Sequence, residues 1–209
     1  MNPRITDWRG KRVWVIGAST GIGQATAALL HGLGATVALS ARRTGKLQAA
    51  AASMERAIAV PLDVTDHASV VGAGDAILKQ WGGIDLVLLV AGGYNEMRAD
   101  SFDLDAANAL VDLNLRGAFN CIDVVLPQLL RQGAGGVGIV ASVAGYGGLP
   151  KALVYGPTKA ALINLSESLY LDLRPRGIAV YQINPGFVDT PLTAHNDFPM
   201  PALMSTNDA

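Results

Sequence analysis

The sequence of 209 residues lacks several things, and each shortage excludes something. It holds one cysteine, Cys121, so an internal disulfide is excluded and a reducing, cytoplasmic setting is expected. Neither charge sign dominates: sixteen Lys and Arg against seventeen Asp and Glu give a formal net charge of −1. Lys and Arg never run longer than the pair Arg42-Arg43, which argues against a nucleic-acid partner. The densest apolar run, 86–91, is far shorter than the ~20 residues a membrane-spanning helix needs. Residues 1–8 have no apolar core of the signal-peptide kind. The three histidines, His31, His67 and His195, have no metal-ligand spacing, so no metal site is expected. Charged residues are only 16% of the chain and hydrophobic ones 50%, which excludes a disordered chain. At about 150 residues per domain, the length is one domain or a domain with an appendage.

What is present alternates. Short apolar, β-rich segments at 12–16, 36–40, 57–60, 86–90, 137–140 and 178–182 read as strands. Between them 24–33, 46–56, 66–81, 104–131 and 155–174 read as helices, Asp66 serving as an N-cap and Pro175 and Gly177 closing the last. Alternation of this kind predicts an α/β fold: a Rossmann-type doubly wound parallel sheet with helices on both faces, in a single domain. Residues 193–209, with Pro199 and Pro201, read as a loop.

Gly17-Ala18-Ser19-Thr20-Gly21-Ile22-Gly23 falls between the first strand and the first helix. A phosphate there meets free backbone N–H groups and the positive end of a helix. Glycines let the main chain approach closely, although the spacing Gly-x-x-x-Gly-x-Gly is not the common Rossmann one. Two other matches fail on context. Gly17-x-Ser19-x-Gly21 fits a hydrolase nucleophile elbow, but no substantial sheet precedes Ser19 and the few histidines give no triad. Gly133-x-Gly135-x-x-Gly138 precedes a strand instead of following one, and reads as a loop. The second strand ends in Ser40-Ala41-Arg42-Arg43, with no acidic residue. In dinucleotide folds an acid at this place takes a free ribose 2′-OH and an arginine takes a 2′-phosphate, so Arg42 and Arg43 point to NADP(H) over NAD(H). Asp63 and Val64, after the third strand, are candidates for the adenine pocket.

Tyr155 and Lys159 lie four apart at a helix start and share a face; Pro157 between them is tolerated only in the first turn. Ser142 ends the fifth strand, where an open α/β sheet places its ligand crevice. A phenol with a pKa of about 10 is a poor base near neutrality. A neighbouring ammonium and a nicotinamide cation are expected to lower it; three units would take roughly 4 kcal/mol. Tyr155 so tuned exchanges a proton with a carbonyl or alcohol, Ser142 binds the substrate oxygen, and Lys159 also holds the nicotinamide ribose.

On these residues the chain resembles short-chain dehydrogenases/reductases over about residues 9–192: Gly17-x-x-x-Gly21-Ile22-Gly23, Asp63-Val64, Asn114, Ser142, Tyr155-x-x-x-Lys159, Pro185-Gly186 and Thr190. The resemblance implies the Rossmann-type sheet, a nicotinamide cofactor, and catalysis by Asn114, Ser142, Tyr155 and Lys159. Asn114 would hold a water of the proton relay. Ala91 and Gly92 at the end of the fourth strand, and Pro185, Gly186, Val188 and Thr190 after the sixth, would contact the cofactor together with Tyr155 and Lys159. The resemblance also implies a homodimer or homotetramer built on helices 104–131 and 155–174. Two features depart from the family. The fourth strand ends Leu89-Val90-Ala91-Gly92 where the family has Asn-Asn-Ala-Gly, so an apolar replacement for those hydrogen bonds is expected. Family members also continue past Pro185-Gly186 into a further helix and a seventh strand. Ser205 or Thr206 reads as an N-cap with Asp208 in a first turn, so a continuation beyond Ala209 is expected.

Tyr94, Tyr146, Leu149 and Phe187 flank the expected crevice and point to a partly apolar small-molecule substrate. The loop 193–209 is expected to cover the substrate; His195 within it reads as an exposed loop histidine, and Cys121 as a small hydrophobe within a helix. The competing reading is a non-catalytic dinucleotide-binding or regulatory protein on the same fold. Ser142 argues against it, since a binder has no need of it.

Overall fold

Strand β1 (Arg12–Ile16) shows what drives the architecture. Val13 and Val15 enter one hydrophobic cluster and Trp14 and Ile16 another, all four fully buried. A strand apolar on both faces needs helices on both sides. In the computed structural model, which describes residues 2, 4–194 and 196–209, β1 lies inside a six-stranded parallel sheet. Its companions are β2 (Thr36–Ser40), β3 (Ala57–Ala59), β4 (Leu86–Leu89), β5 (Gly136–Val140) and β6 (Ala179–Ile183), in the order β3-β2-β1-β4-β5-β6. The chain winds outward from β1 in both directions, so β1 and β4 flank the topological switch point.

Helices α1 (Gly21–Gly32) and α2 (Thr44–Ala52) cover the Val13 and Val15 side through Ala27, Leu30 and Leu47. The opposite side is covered by α3 (His67–Trp81), α5 (Gly117–Gln132) and α6 (Tyr155–Leu173). Asp66 caps α3 by accepting from the Ala68 N–H. The indole of Trp14 donates to the Ser40 hydroxyl at 2.8 Å, which donates to the Val60 carbonyl at 2.6 Å, so neither side chain's polar group is left unpaired in the core. Cys121 is 1% exposed, and burial pushes its thiol up to about 12, as suits a core residue.

The helix expected over 104–131 is observed over 104–132, but it is not α-helical throughout. Helix α4 (Leu104–Val111) runs into a π-helical turn at Asp112–Arg116, and α5 follows. The turn has no proline and its residues are ordinary helix formers, so hydrophobic periodicity does not reveal it. It places Asn114, 1% exposed, inward. Helix α1 begins at Gly21, three residues ahead of the expected start, because the glycine turn feeds directly into it. Near the end, Ser205–Asp208 forms a turn in which the Ser205 hydroxyl bonds the Asp208 carboxylate at 2.6 Å and the Ala209 N–H reaches the Ser205 carbonyl. His195 lies outside the described residues. Among the described residues, no helix is long and apolar enough to cross a membrane.

Candidate active site

The carboxyl ends of β1, β2, β4, β5 and β6 open into one cleft of about 730 Å³. One end is shaped by Gly17 and Gly23. At Gly17, with φ +103°, a Cβ would lie 2.5 Å from the Ala91 nitrogen; at Gly23 it would lie 2.3 Å from the Gly17 carbonyl oxygen. Both positions exclude any side chain, and the Gly17 backbone is in a region L residues rarely adopt. Thr20 precedes α1 without capping it through its side chain, and the first turn holds no acid. The positive helix end therefore faces the cleft without a protein anion to neutralise it.

Ser19, Thr20, Gly21 and Ile22 line this end with the two glycines. Arg42 and Arg43 stand beside it. The Arg43 guanidinium reaches the Ser19 and Thr20 hydroxyls, each at 3.4 Å. Asp63 and Val64 form the next stretch of wall. Burial pushes the Asp63 carboxyl up, but the Thr65 backbone N–H and hydroxyl, and then the charge of Arg42, outweigh it and hold the group below its usual range.

Ala91 and Gly92, then Ser142, Tyr155 and Lys159, then Pro185, Gly186, Val188 and Thr190 line the other end. Ser142 caps a 3-10 turn at Val143–Gly145: its oxygen accepts from the Ala144 N–H at 3.1 Å, which fixes the hydroxyl at the cleft wall. Lys159 is 5% exposed and donates to the Val140 carbonyl at 3.0 Å. Burial without a carboxylate partner draws its ammonium down to about 8.

The expected depression of Tyr155 is not what the polypeptide produces. Burial raises its phenol above the ordinary value, the Ser142 hydroxyl only partly opposes this, and Tyr94 adds to the rise. The reason is geometric: Lys159 directs its ammonium to the Val140 carbonyl and sits 5.7 Å from the centre of the Tyr155 ring. Tyr94 meets the same ring edge-on at 5.3 Å. Phe187 packs instead against Phe198, and Tyr146 and Leu149 stay exposed.

Asn114 is placed behind this wall. Its Oδ1 accepts from the Gly93 N–H at 2.7 Å, and its Nδ2 donates to the Gly93 carbonyl and the Thr158 hydroxyl, each at 3.0 Å. The apolar substitute expected after β4 is therefore not what holds that segment. Val90 and Ala91 both donate to the Ile16 carbonyl at 2.8 Å, and the Asn114 amide clamps Gly93. Sequence reasoning missed Gly93, Thr158 and the cleft-lining Pro191, Leu192 and Thr193. A Gly92-Gly93 doublet was the one signal for the first; Thr158 carried none.

Parallel strands with a glycine cradle at their switch point define a Rossmann-type α/β protein. The family model described as short chain dehydrogenase matches residues 11–198. An uncharacterised oxidoreductase of Myxococcus xanthus is 38% identical over 199 residues, covering 93% of this chain and 79% of that one. A short-chain dehydrogenase from Streptomyces avermitilis is similar in structure at 33% identity and a TM-score of 0.83, covering 88% of this chain and 68% of that one. A 3-ketoacyl-(acyl-carrier-protein) reductase from Brucella melitensis, complexed with NADH, is similar at 26% identity and a TM-score of 0.89, covering 97% of this chain and 88% of that one. The chain belongs to the short-chain dehydrogenase family of oxidoreductases.

Proposed function

We propose that the protein is an NADP(H)-dependent oxidoreductase that interconverts a carbonyl and a secondary alcohol, with Tyr155 as acid and base. The observation that carries this is the meeting of Ser142, Tyr155 and Lys159 in the cleft whose far end is the glycine cradle. The cleft suits a dinucleotide. A Cβ at Gly17 or Gly23 would fill the cradle, the start of α1 has no side-chain cap, and Arg42 and Arg43, which follow β2 with no acid at the strand's end, support a 2′-phosphate. Bound there, the nicotinamide supplies or accepts the hydride.

The chain's own residues do the rest. Tyr155, protonated near neutrality, donates to the carbonyl oxygen during reduction and takes the proton back during oxidation. Ser142 hydrogen-bonds the same oxygen. Lys159 holds the nicotinamide ribose and favours the phenolate as the proton leaves. Asn114 belongs to the proton relay; both its amide protons are spent on Gly93 and Thr158, so it holds a water through its oxygens. Asp63, Val64, Ala91, Gly92, Pro185, Gly186, Val188 and Thr190 complete the cofactor wall. The substrate is a small, partly apolar molecule. A homodimer or homotetramer on helices 104–131 and 155–174 is supported by the exposed Leu104, Phe119, Leu130 and Leu171.

Following NADPH absorbance with a panel of ketones, diketones and aldehydes tests this reading. Turnover of at least one class is expected; tight NADPH binding with no turnover would turn the assignment to the non-catalytic alternative. The cofactor preference has its own test. Replacing Arg42 and Arg43 together with Ala is expected to weaken NADPH about a hundredfold, from two charge-assisted contacts, and NADH by about threefold or less. Arg43 also touches the glycine turn, so Arg42→Ala alone separates the phosphate role from loosening of the loop. Equal losses for both cofactors refute the 2′-phosphate role.

A further inference from the structure

Lys151 combines features that neither the cradle nor the proton-transfer groups explain. It is one of two non-glycine residues with positive φ among those described, at +62°. That conformation costs free energy and persists where the surroundings over-determine it. Here they do. Its carbonyl accepts from the Met97 N–H at 3.0 Å and from the Tyr94 hydroxyl at 3.3 Å. Its ammonium pairs with Glu96 at 3.1 Å and with Asp197, and stands 5.7 Å from the centre of the Phe198 ring. The side chain is only 18% exposed.

These partners come from two different segments. Glu96 and Met97 follow β4 on the rim beside Tyr94, whose ring braces Tyr155. Asp197 and Phe198 belong to the segment after β6, and that segment's Pro191, Leu192 and Thr193 form part of the cleft wall. Among the described residues, the segment is also held by the Thr193 hydroxyl, which donates to the Val188 carbonyl, by the isolated bridge between Val188 and Met204, and by the Phe187–Phe198 edge contact. Two carboxylates, one from each segment, converge on one ammonium and form a fastening whose strength depends on charge.

We propose that Lys151 is a positioning residue that fastens residues 191–194 and 196–204 over the substrate end of the cleft, by bridging Asp197 to Glu96 of the opposite rim. Closure holds Leu192 and its neighbours against a substrate placed for Tyr155. The role in substrate capture rests on the oxidoreductase reading; the fastening itself does not.

The test therefore has two readouts. Lys151→Met keeps the stem and the backbone conformation but removes the charge, and Lys151→Arg restores it. Hydrogen exchange of the Thr193, Ala194, Asn196 and Met204 amides, each bonded in the closed segment, measures opening without any substrate. Lys151→Met is expected to speed their exchange about tenfold, leaving the sheet amides unchanged, with Lys151→Arg close to the starting protein. Raising the salt concentration should speed exchange in the starting protein and have little effect in Lys151→Met. Unchanged exchange, or a rise spread over the whole chain, overturns the fastening. With a carbonyl from the panel that turns over, Lys151→Met should raise KM about tenfold with kcat within about threefold, and Lys151→Arg should restore KM. A fall in kcat at unchanged KM overturns the positioning role. If no carbonyl turns over, the exchange result alone decides the fastening, and the failure belongs to the oxidoreductase reading.

Discussion

Replacing Tyr155 by Phe is expected to lower carbonyl reduction between about a hundredfold and ten-thousandfold, the range a positioned acid contributes. The substitution removes one oxygen and little else. The ring keeps its edge contact with Tyr94, Lys159 keeps its bond to the Val140 carbonyl, and the glycine cradle is remote. NADPH affinity and melting temperature should therefore stay close to those of the starting protein, and initial rates of NADPH consumption read the effect. A loss of less than tenfold in a folded, cofactor-binding variant would remove Tyr155 from the chemistry. The direction of the pKa shift adds a prediction. Burial raises the phenol, with the Ser142 hydroxyl pulling the other way and Tyr94 adding to the rise. The proton is thus in place for reduction across about pH 6 to 9, whereas oxidation needs it lost, so oxidation should speed up as pH rises through that interval. Lys159 is expected to set the alkaline limit for reduction. Its ammonium, drawn down to about 8 by burial, discharges above that value, and kcat/KM for the carbonyl should fall there.

The sheet was legible because its strands are apolar on both faces and end in residues that cannot continue them. Val13 to Ile16 stopped by Gly17 is the plainest case, and the expected β1 and β2 match the observed ones. The cleft residues were legible for a related reason: in a doubly wound sheet, chemistry collects at carboxyl ends, and those ends can be counted along the chain. What escaped depends on contacts between distant residues. The π-helical turn at Asp112–Arg116 forms around the bonds of Asn114 to Gly93 and Thr158, which are 21 and 44 positions away. Tyr155 and Lys159, four apart, were expected to interact through charge; nothing in that spacing says the ammonium turns to Val140, 19 positions back. The Glu96, Lys151 and Asp197 fastening spans 46 residues between Lys151 and Asp197 and has no periodicity to reveal it.

Gly17→Ala should be the most damaging single methyl addition tested in the cradle, and Gly72→Ala, a control in α3, should do the opposite. At Gly17 two costs combine. The +103° backbone is open to glycine and costs another residue about 1–3 kcal/mol. The new Cβ would also meet the Ala91 nitrogen at 2.5 Å and its Cα at 2.8 Å, main-chain atoms that cannot rotate away, adding about 1–3 kcal/mol of overpacking. Relief would have to come from parting β1 and β4, where Val90 and Ala91 share the Ile16 carbonyl and where the cradle meets the catalytic wall. A fall in melting temperature of about 10 °C, with NADPH binding lost, is the expected outcome. Gly72 lies exposed within α3 with open space where a Cβ would go, so alanine there should stabilise by about 0.5–1 kcal/mol and raise the melting temperature by about 2 °C. A Gly17→Ala protein that melts within a few degrees of the starting protein and binds NADPH normally would mean that the strand ends at the switch point yield more readily than their hydrogen bonds indicate. The close approach of the ends of the parallel neighbours β1 and β4 would then not be what shapes the cleft.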